Sequence, residues 1–266
     1  MARSQALLNI LNLVDAATDE IPVEQQFLCD LRVSIEKQAA KEGRKPSQSY
    51  KPSSLHCIRN MYYQVTGAEC EEERSTSEFV GICESGTDRH ERIQKAVMAM
   101  KENGIDCEYV NVADYVRNHG LDKSITIVSQ QGNETKLFHN DLKMSFLCDG
   151  IIRYKGQYYI LEIKTEISSK FWERQGVNPD HILQGTAYSV AFGIDKVLFL
   201  YECRDNCSKK AYMLEVTDKM KQDFIGKISN CESYVADNVC PPKPTDLSKK
   251  ACAYCSYAKR CERDGD

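Results

Sequence analysis

The sequence lacks several features that would place it in a large class of proteins. No apolar run approaches the roughly 20 residues of a membrane-spanning helix, so we expect no membrane segment. The chain contains no GxxxxGK(S/T) pattern, which argues against a P-loop ATP motor, and it shows no internal repeat. Acidic residues directly follow the short N-terminal apolar stretch, and no small-residue cleavage site is apparent. We therefore expect no signal peptide and an intracellular, cytoplasmic protein.

An excess of positive charge is also missing. The 266 residues carry 35 Lys and Arg against 39 Asp and Glu, a formal net charge of −4. This balance does not exclude nucleic acid as a partner, because phosphate contact needs only a local basic patch. The segment 41–51 and the lysines beside the last cysteines are such patches, and each is equally consistent with solvated surface.

Cysteine, by contrast, is abundant. The chain has 13 cysteines, and an odd number in an intracellular protein argues against a disulfide framework. Most are expected to be small buried residues of the core. The scattered cysteines of this kind are Cys29, Cys107, Cys148 and Cys203.

The last three cysteines differ from the others because their spacing is compact. Cys252, Cys255 and Cys261 form a C-x2-C-x5-C pattern, typical of a metal or cluster site. Such a site generally takes four ligands. Cys240 precedes the triplet closely and would complete a compact local site suited to zinc. Three unliganded thiols are the remaining interpretation.

Residue periodicity predicts a mixed chain of helices and strands. Apolar spacing predicts helices over 3–17, 22–41, from Ser53 or Ser54 to near Gly67, from near Gly86, over 180–192 and over 218–236. Strands are predicted over 196–204 and 209–217. The segment KMSFLCDGIIRYKGQYYILEIKT predicts a hairpin of two long strands around a Lys155-Gly156 turn, while residues 104–135 carry no clear pattern.

That hairpin carries charges inside apolar strands. Asp149 lies in FLCDGII, and Glu162 with Lys164 lies in YYILEIKT. Buried charges are costly unless they are paired or bind a cation, and two carboxylates suit Mg²⁺ or Mn²⁺. Lys164 shares a strand face with Glu162, where it can assist a water beside the metal. The same acidic-x-Lys pattern at 134–136 and 141–143 lacks this context.

These residues resemble the core of the PD-(D/E)xK nucleases. His90 in GTDRH, and Gln184 with Tyr188 in HILQGTAY, match the GxxxH and QxxxY patterns of the RecB-like branch. Cys57 upstream, followed by the cysteine triplet, is similar to the iron–sulfur members, which include the CRISPR-associated RecB-like exonucleases and the AddB nuclease domain. The resemblance covers about residues 53–261 and departs from the family at Ile58, where a proline is frequent.

The resemblance implies an α/β fold, with a small mixed central β-sheet flanked by helices and a C-terminal iron–sulfur staple. It divides the chain into an N-terminal helical extension (1–50), a nuclease core (51–238) and a cysteine segment (239–266). A 4Fe–4S cluster would be bound by Cys57, Cys252, Cys255 and Cys261. Mg²⁺ or Mn²⁺ would be bound by His90, Asp149, Glu162 and the Ile163 carbonyl. Lys164 would assist the attacking water, and Gln184 and Tyr188 would orient Lys164 or the DNA backbone. Separately from the resemblance, Arg59 is a candidate for contact with phosphate.

The implied function is that of a metal-dependent DNA nuclease. We expect an exonuclease acting on single-stranded or end-containing DNA in recombination, replication, repair or CRISPR adaptation. A phage-encoded nuclease is a further biological setting. A helicase, recombinase or integrase subunit is the expected partner. Two alternatives remain: a structure-specific endonuclease with the same core, and a non-catalytic subunit that binds DNA ends and docks a helicase or integrase.

Overall fold

The computed structural model describes residues 21–41, 48–70, 76–131, 134–245, 247, 252 and 255–265. The helix predicted over 3–17 lies outside these residues. The described helices are α1 (Val23–Lys41), α2 (Ile58–Val65), α3 (Ser77–Met98), α4 (Val112–Asn118), α5 (Ser168–Glu173), α6 (Pro179–Phe192), α7 (Asp218–Ala236) and α8 (Ala258–Arg263). The strands are β1 (Cys107–Val110), β2 (Ile125–Gln131), β3 (Glu134–His139), β4 (Met144–Cys148), β5 (Gly150–Tyr154), β6 (Gln157–Glu166), β7 (Lys196–Cys203) and β8 (Lys209–Glu215).

The chain divides into two compact units. The first contains Met1–Arg44 and Arg74–Glu84, and the second contains Lys45–Glu73 and Ser85–Asp266. This division separates an N-terminal helical part from the rest, and residues 239–266 belong to the same unit as the sheets.

In the smaller unit, α1 confirms the helix predicted over 22–41. The carboxylate of Glu36 accepts a hydrogen bond from the Ser77 amide at the start of α3. Most large apolar side chains of α1 remain exposed, with Phe27 at 64%, while Ile35 is half-buried. Cys29 is exposed on the same helix, so its prediction as a core residue is wrong, whereas Cys107, Cys148 and Cys203 are buried.

The helix predicted to begin near Gly86 begins earlier, at Ser77. Gly86 stands inside α3, where a Cβ atom would meet nothing within 4 Å. A glycine inside a helix costs only about 1 kcal/mol relative to alanine, so it does not have to end the helix.

The larger unit is built on a five-stranded mixed sheet with the strand order β1-β5-β6-β7-β8. Strands β6 and β7 are parallel, and the other neighbours are antiparallel. A parallel pair needs a crossover connection, which here contains α5 and α6. The fold is therefore the α/β arrangement of a mixed sheet and helices that the sequence predicts.

Helices cover both faces of this sheet. Ile93 of α3 packs with Leu161 and Ile163 of β6, on one face. Ala187 of α6 belongs to the larger core cluster with Ile160, on the other face. Because both faces are covered, the centre of β6 (Ile160–Ile163) is buried, and Glu162 within it lies in an apolar environment. Among the described helices, none is both long and apolar enough to cross a membrane.

Strand β4 belongs to a separate antiparallel sheet with the order β2-β3-β4. The apolar run FLCDGII, predicted as one strand, is therefore divided at Asp149 between two sheets. Gly150 makes the division possible, because a Cβ atom there would lie 2.6 Å from Cε2 of Tyr109. The Tyr109 hydroxyl donates to the Asp149 carbonyl at 2.8 Å and so satisfies a backbone acceptor between β4 and β5.

Capping residues explain why other predicted boundaries are confirmed. The Asn178 side chain accepts the Asp180 amide, Pro179 occupies the first turn, and Gly193 ends α6 with φ of 67°. Helix α7 begins after Thr217, whose side chain accepts the Met220 amide. The predicted Lys155-Gly156 turn has φ of 48° and 79°, which suits the two-residue turn of a hairpin.

The close approach at Gly150 makes a prediction about stability. Gly150→Ala should lower the free energy of unfolding by about 1–3 kcal/mol, because the added methyl group must displace the Tyr109 ring. Urea unfolding followed by circular dichroism measures the change. Gly226→Ala in α7 is the control, since a Cβ atom there meets nothing within 4 Å. It should be neutral or slightly stabilising. Equal midpoints for Gly150→Ala and the wild type would contradict the steric account.

Candidate active site

The polar residues singled out in the sequence meet where β5 and β6 lie between α3 and α6. The register pairs Gly150 with Leu161, which brings the preceding Asp149 beside the Glu162–Ile163 step of β6. The structure brings together His90 from α3, Asp149 from the break before β5, Glu162, Ile163 and Lys164 from β6, and Gln184 and Tyr188 from α6.

Asp149 is held by contacts from several elements. Its Oδ2 accepts a hydrogen bond from the Ile163 amide at 2.6 Å, and its Oδ1 lies 3.0 Å from Nδ1 of His90. The Asp149 carbonyl accepts from Nε2 of Gln94 at 2.7 Å. The carboxylate therefore has one position relative to β6.

Glu162 is nearly inaccessible, with 3% of its surface exposed. Its Oε1 accepts a hydrogen bond from Gln184 and lies 2.7 Å from Nζ of Lys164. Its Oε2 is buried and has no hydrogen-bond partner among the described residues. Burial raises the pKa of Glu162 to about 7, although Lys164 acts in the opposite direction. A buried carboxylate oxygen without a donor is a natural position for a cation ligand.

Lys164 lies in this network as a cation. Its Nζ donates to Oε1 of Gln184 at 2.9 Å, and Glu162 is its ionic partner. Burial alone would lower the pKa of Lys164, but the Glu162 carboxylate outweighs burial, and the pKa is raised. The group is thus suited to stabilising negative charge rather than to accepting a proton.

Gln184 joins the two charged residues. Its Oε1 accepts from Lys164, while its Nε2 donates to Glu162 at 2.7 Å and to the Tyr188 hydroxyl at 2.9 Å. The Tyr188 hydroxyl in turn donates to the Leu147 carbonyl at 2.9 Å. Burial raises the pKa of Tyr188 well above its usual value, so the hydroxyl remains protonated. The pair holds the β6 side chains in place from α6.

The donor set fits a hard divalent cation. Asp149 and Glu162 supply carboxylate oxygens, which Mg²⁺ and Mn²⁺ prefer, and His90 adds an imidazole. In the part of the chain that the structure describes, no three His, Cys, Asp or Glu side chains are already arranged around one point as a metal site. Asp149 is instead hydrogen-bonded to His90, and the Asp149 contact raises the pKa of His90 against the effect of burial, which lowers it.

Sequence reasoning missed several residues that support this site. Gln94 lies one helical turn after His90 on α3, a spacing that could have revealed it. Tyr201 pairs with Lys164 across β6 and β7, and its hydroxyl contacts Nδ1 of His181 at 3.0 Å. Burial lowers the pKa of His181 to about 3, so this imidazole is neutral beside Lys164.

The cysteines of the sequence pattern line one cavity. Its volume is about 540 Å³, and its walls include Cys57, Cys252, Cys255 and Cys261. Cys240 is not among the described residues that line it, and its thiol lies 3.5 Å from the Tyr63 hydroxyl. The structure thus places Cys57, far away in sequence, in the wall of the cavity that the triplet lines, while Cys240 packs in one apolar cluster with Cys255 and Cys261.

Arg59 does not contact solvent in the way a phosphate ligand must. Its side chain is buried, and it donates to the carbonyls of Pro241, Cys261 and Gly265 at 2.8, 3.1 and 2.6 Å. The prediction of a phosphate contact is therefore wrong. The first turn of α2 faces the C-terminal segment, and the guanidinium is used to hold that segment.

No protein-family model and no curated protein matches the chain. Among solved structures, it is similar to the crystal structure of SSO0001, with 15% identity, a TM-score of 0.48, and coverage of 87% of this chain and 96% of that chain. It is also similar to an alkaline exonuclease, LHK-Exo, from Laribacter hongkongensis, with 11% identity, a TM-score of 0.42, and coverage of 73% and 90%. The complex of LHK-Exo with dAMP gives 12% identity, a TM-score of 0.43, and coverage of 72% and 89%. At these values, the likenesses do not by themselves assign an activity to this chain.

Proposed function

We propose that this protein is a metal-dependent DNA nuclease that hydrolyses phosphodiester bonds as an exonuclease on DNA with free or single-stranded ends. The observation that carries the proposal is the buried Glu162 carboxylate, with one oxygen lacking a donor, beside Asp149 and the Lys164 ammonium. The resemblance of these motifs to RecB-like exonucleases supports DNA as the substrate. DNA end processing beside a helicase, recombinase or integrase is the corresponding biological setting.

The chain's own groups account for binding and charge stabilisation. Asp149, Glu162 and His90, with the Ile163 carbonyl, would hold Mg²⁺ or Mn²⁺. When bound, the cation polarises the phosphate and lowers the pKa of a water molecule. Lys164, fixed by Gln184 and Glu162, offers its ammonium N–H groups to the attacking water and to the phosphate oxygens that gain negative charge. Gln184, itself hydrogen-bonded to Tyr188, holds the Lys164 ammonium and the Glu162 carboxylate in their relative positions.

A 4Fe–4S cluster bound by Cys57, Cys252, Cys255 and Cys261 is the second part of the proposal. The four residues share one cavity, but among the described residues no three thiols are close enough to bind a single ion. Both zinc and iron–sulfur clusters take thiolate ligands, and the resemblance to the iron–sulfur nucleases favours the cluster. Its role is structural: it ties α2 to the C-terminal segment across a long loop, where chain closure removes much entropy from the unfolded state.

Removal of the charged groups tests the nuclease proposal. Lys164→Ala and Glu162→Ala should each lower cleavage by at least about 100-fold, because the first deletes the ammonium offered to the reacting phosphate and the second deletes a ligand of the cation. The assay is degradation of end-labelled single- and double-stranded DNA with Mn²⁺ or Mg²⁺, with EDTA as the blank. Iron content and the melting temperature should remain close to those of the wild type.

Lys136→Ala is the matched control, since Lys136 ends another acidic-x-Lys pattern and is exposed in β3. It should degrade DNA at the wild-type rate. Wild-type degradation by Lys164→Ala would refute the nuclease proposal and favour a DNA-end-binding subunit. Cleavage of covalently closed circles would instead favour the endonuclease.

The raised pKa of Glu162 predicts a pH dependence of stability in the metal-free protein. Between the ordinary pKa of a glutamate, about 4.5, and about 7, the folded state binds a proton that the unfolded state has released. Stability relative to Glu162→Gln should therefore fall as pH rises through this window, by on the order of 1–3 kcal/mol, and become constant above it. Urea unfolding in EDTA at several pH values measures the difference. A difference independent of pH would show that the Glu162 pKa is ordinary.

The cluster makes a prediction about metal content. Anaerobically purified protein should contain roughly four irons and little zinc, with broad visible absorption. Cys57→Ala should lose the iron, whereas Cys240→Ala should retain it, because Cys57 lines the cavity and Cys240 does not. Stoichiometric zinc without iron, or iron lost only from Cys240→Ala, would favour the compact local site.

A further inference from the structure

Arg59 is a buried cation without an acidic partner. Its residue exposure is 2%, and in the described part of the chain it forms no salt bridge with a carboxylate. Its hydrogen bonds go to the neutral carbonyls of Pro241, Cys261 and Gly265. Burying a charge without a counter-charge is expensive, so an anionic group is expected close to this guanidinium.

The ionisable group in contact with Arg59 is a cysteine of the cavity. Nη1 of Arg59 lies 3.4 Å from Sγ of Cys261, within hydrogen-bonding distance for sulfur. The thiolate of a cluster-bound Cys261 would supply a counter-charge to this guanidinium. Cysteine is anionic when it binds a metal or a cluster.

Asn60 supplies a second donor to the same cavity. Its Nδ2 lies 3.4 Å from Sγ of Cys255, and its Oδ1 accepts from Nε2 of Gln64 at 2.7 Å. Gln64 is itself oriented, because its Oε1 accepts the Lys51 amide at 3.1 Å. This chain of hydrogen bonds fixes the Asn60 amide with its NH₂ group towards the sulfur.

We propose that Arg59 and Asn60 are the electrostatic partners of the cluster thiolates, with Arg59 as counter-charge at Cys261 and Asn60 as hydrogen-bond donor at Cys255. The inference rests on the proposed cluster and assigns functions to residues that are not ligands. Reduction adds negative charge to the thiolate-bound group, and a nearby cation and N–H donors stabilise that charge. The two residues therefore raise the reduction potential of the cluster and also help to keep the cluster bound.

The test is a redox titration of the iron-loaded protein, followed by absorbance and electron paramagnetic resonance. Arg59→Met removes the charge and the donor. Asn60→Asp keeps the shape and the acceptor for Gln64 but replaces the NH₂ group with a carboxyl oxygen. Each substitution should shift the equilibrium between oxidised and reduced cluster at least tenfold towards the oxidised form. This shift lowers the reduction potential by about 59 mV for one electron. Arg153→Met is the matched control, since Arg153 lies in β5 beside Glu108 and should leave the potential unchanged.

The possible outcomes separate this inference from the proposal on which it rests. Wild-type protein without iron would reject the cluster itself. Iron-loaded Arg59→Met and Asn60→Asp with wild-type potentials would overturn the electrostatic role while leaving the cluster in place. Lowered reduction potentials of the two variants support the electrostatic role. Loss of iron from Arg59→Met also supports it, provided that the variant melts at the same temperature as the metal-free wild type and is therefore folded. If Arg59→Met does not fold, the potential of Asn60→Asp decides the question.

Discussion

The hydrogen bond from the Ile163 amide to the Asp149 carboxylate is the contact on which the candidate site depends. It joins the break between β4 and β5 to the middle of β6, so one carboxylate is fixed at the junction of two sheets. The Tyr109 ring packs against Gly150 in the space that a Cβ atom would occupy. If β4 and β5 were one continuous strand, the backbone of Asp149 would take part in the strand pairing, and its carboxylate would not be placed at the Ile163 amide.

The two helices that cover the sheet complete the site from opposite sides. Helix α3 contributes His90 and Gln94 to Asp149, while α6 contributes Gln184 to Glu162 and Lys164. Because each helix also packs its apolar side on β6, the same packing that stabilises the core positions the polar groups. The crossover between the parallel strands β6 and β7 is what places α6 on this face.

Two buried charged residues in the larger unit have incomplete partners. Among the residues that the structure describes, one buried oxygen of Glu162 has no donor, and the buried guanidinium of Arg59 has no acidic partner. Each costs free energy in the chain alone, and each would be compensated by a group of opposite charge. A cation bound at Glu162 would compensate the carboxylate, and an anionic thiolate cluster beside Arg59 would compensate the guanidinium. The nuclease and cluster proposals therefore draw on the same kind of observation, made at separate positions.

The sequence by itself determined the elements with strong local signals. The caps around α6, the Lys155-Gly156 turn and the strand β6 with its apolar centre were predictable because each depends on neighbouring residues. Asp149, Glu162 and Lys164 stood out as charges inside apolar runs, whereas His90, Gln184 and Tyr188 were singled out by the family resemblance. Tertiary structure alone decided that FLCDGII divides between two sheets, that Cys29 is exposed, and that Arg59 is buried against the C-terminal segment. These outcomes depend on which distant strand or segment pairs with each residue, and periodicity along the chain does not contain that information.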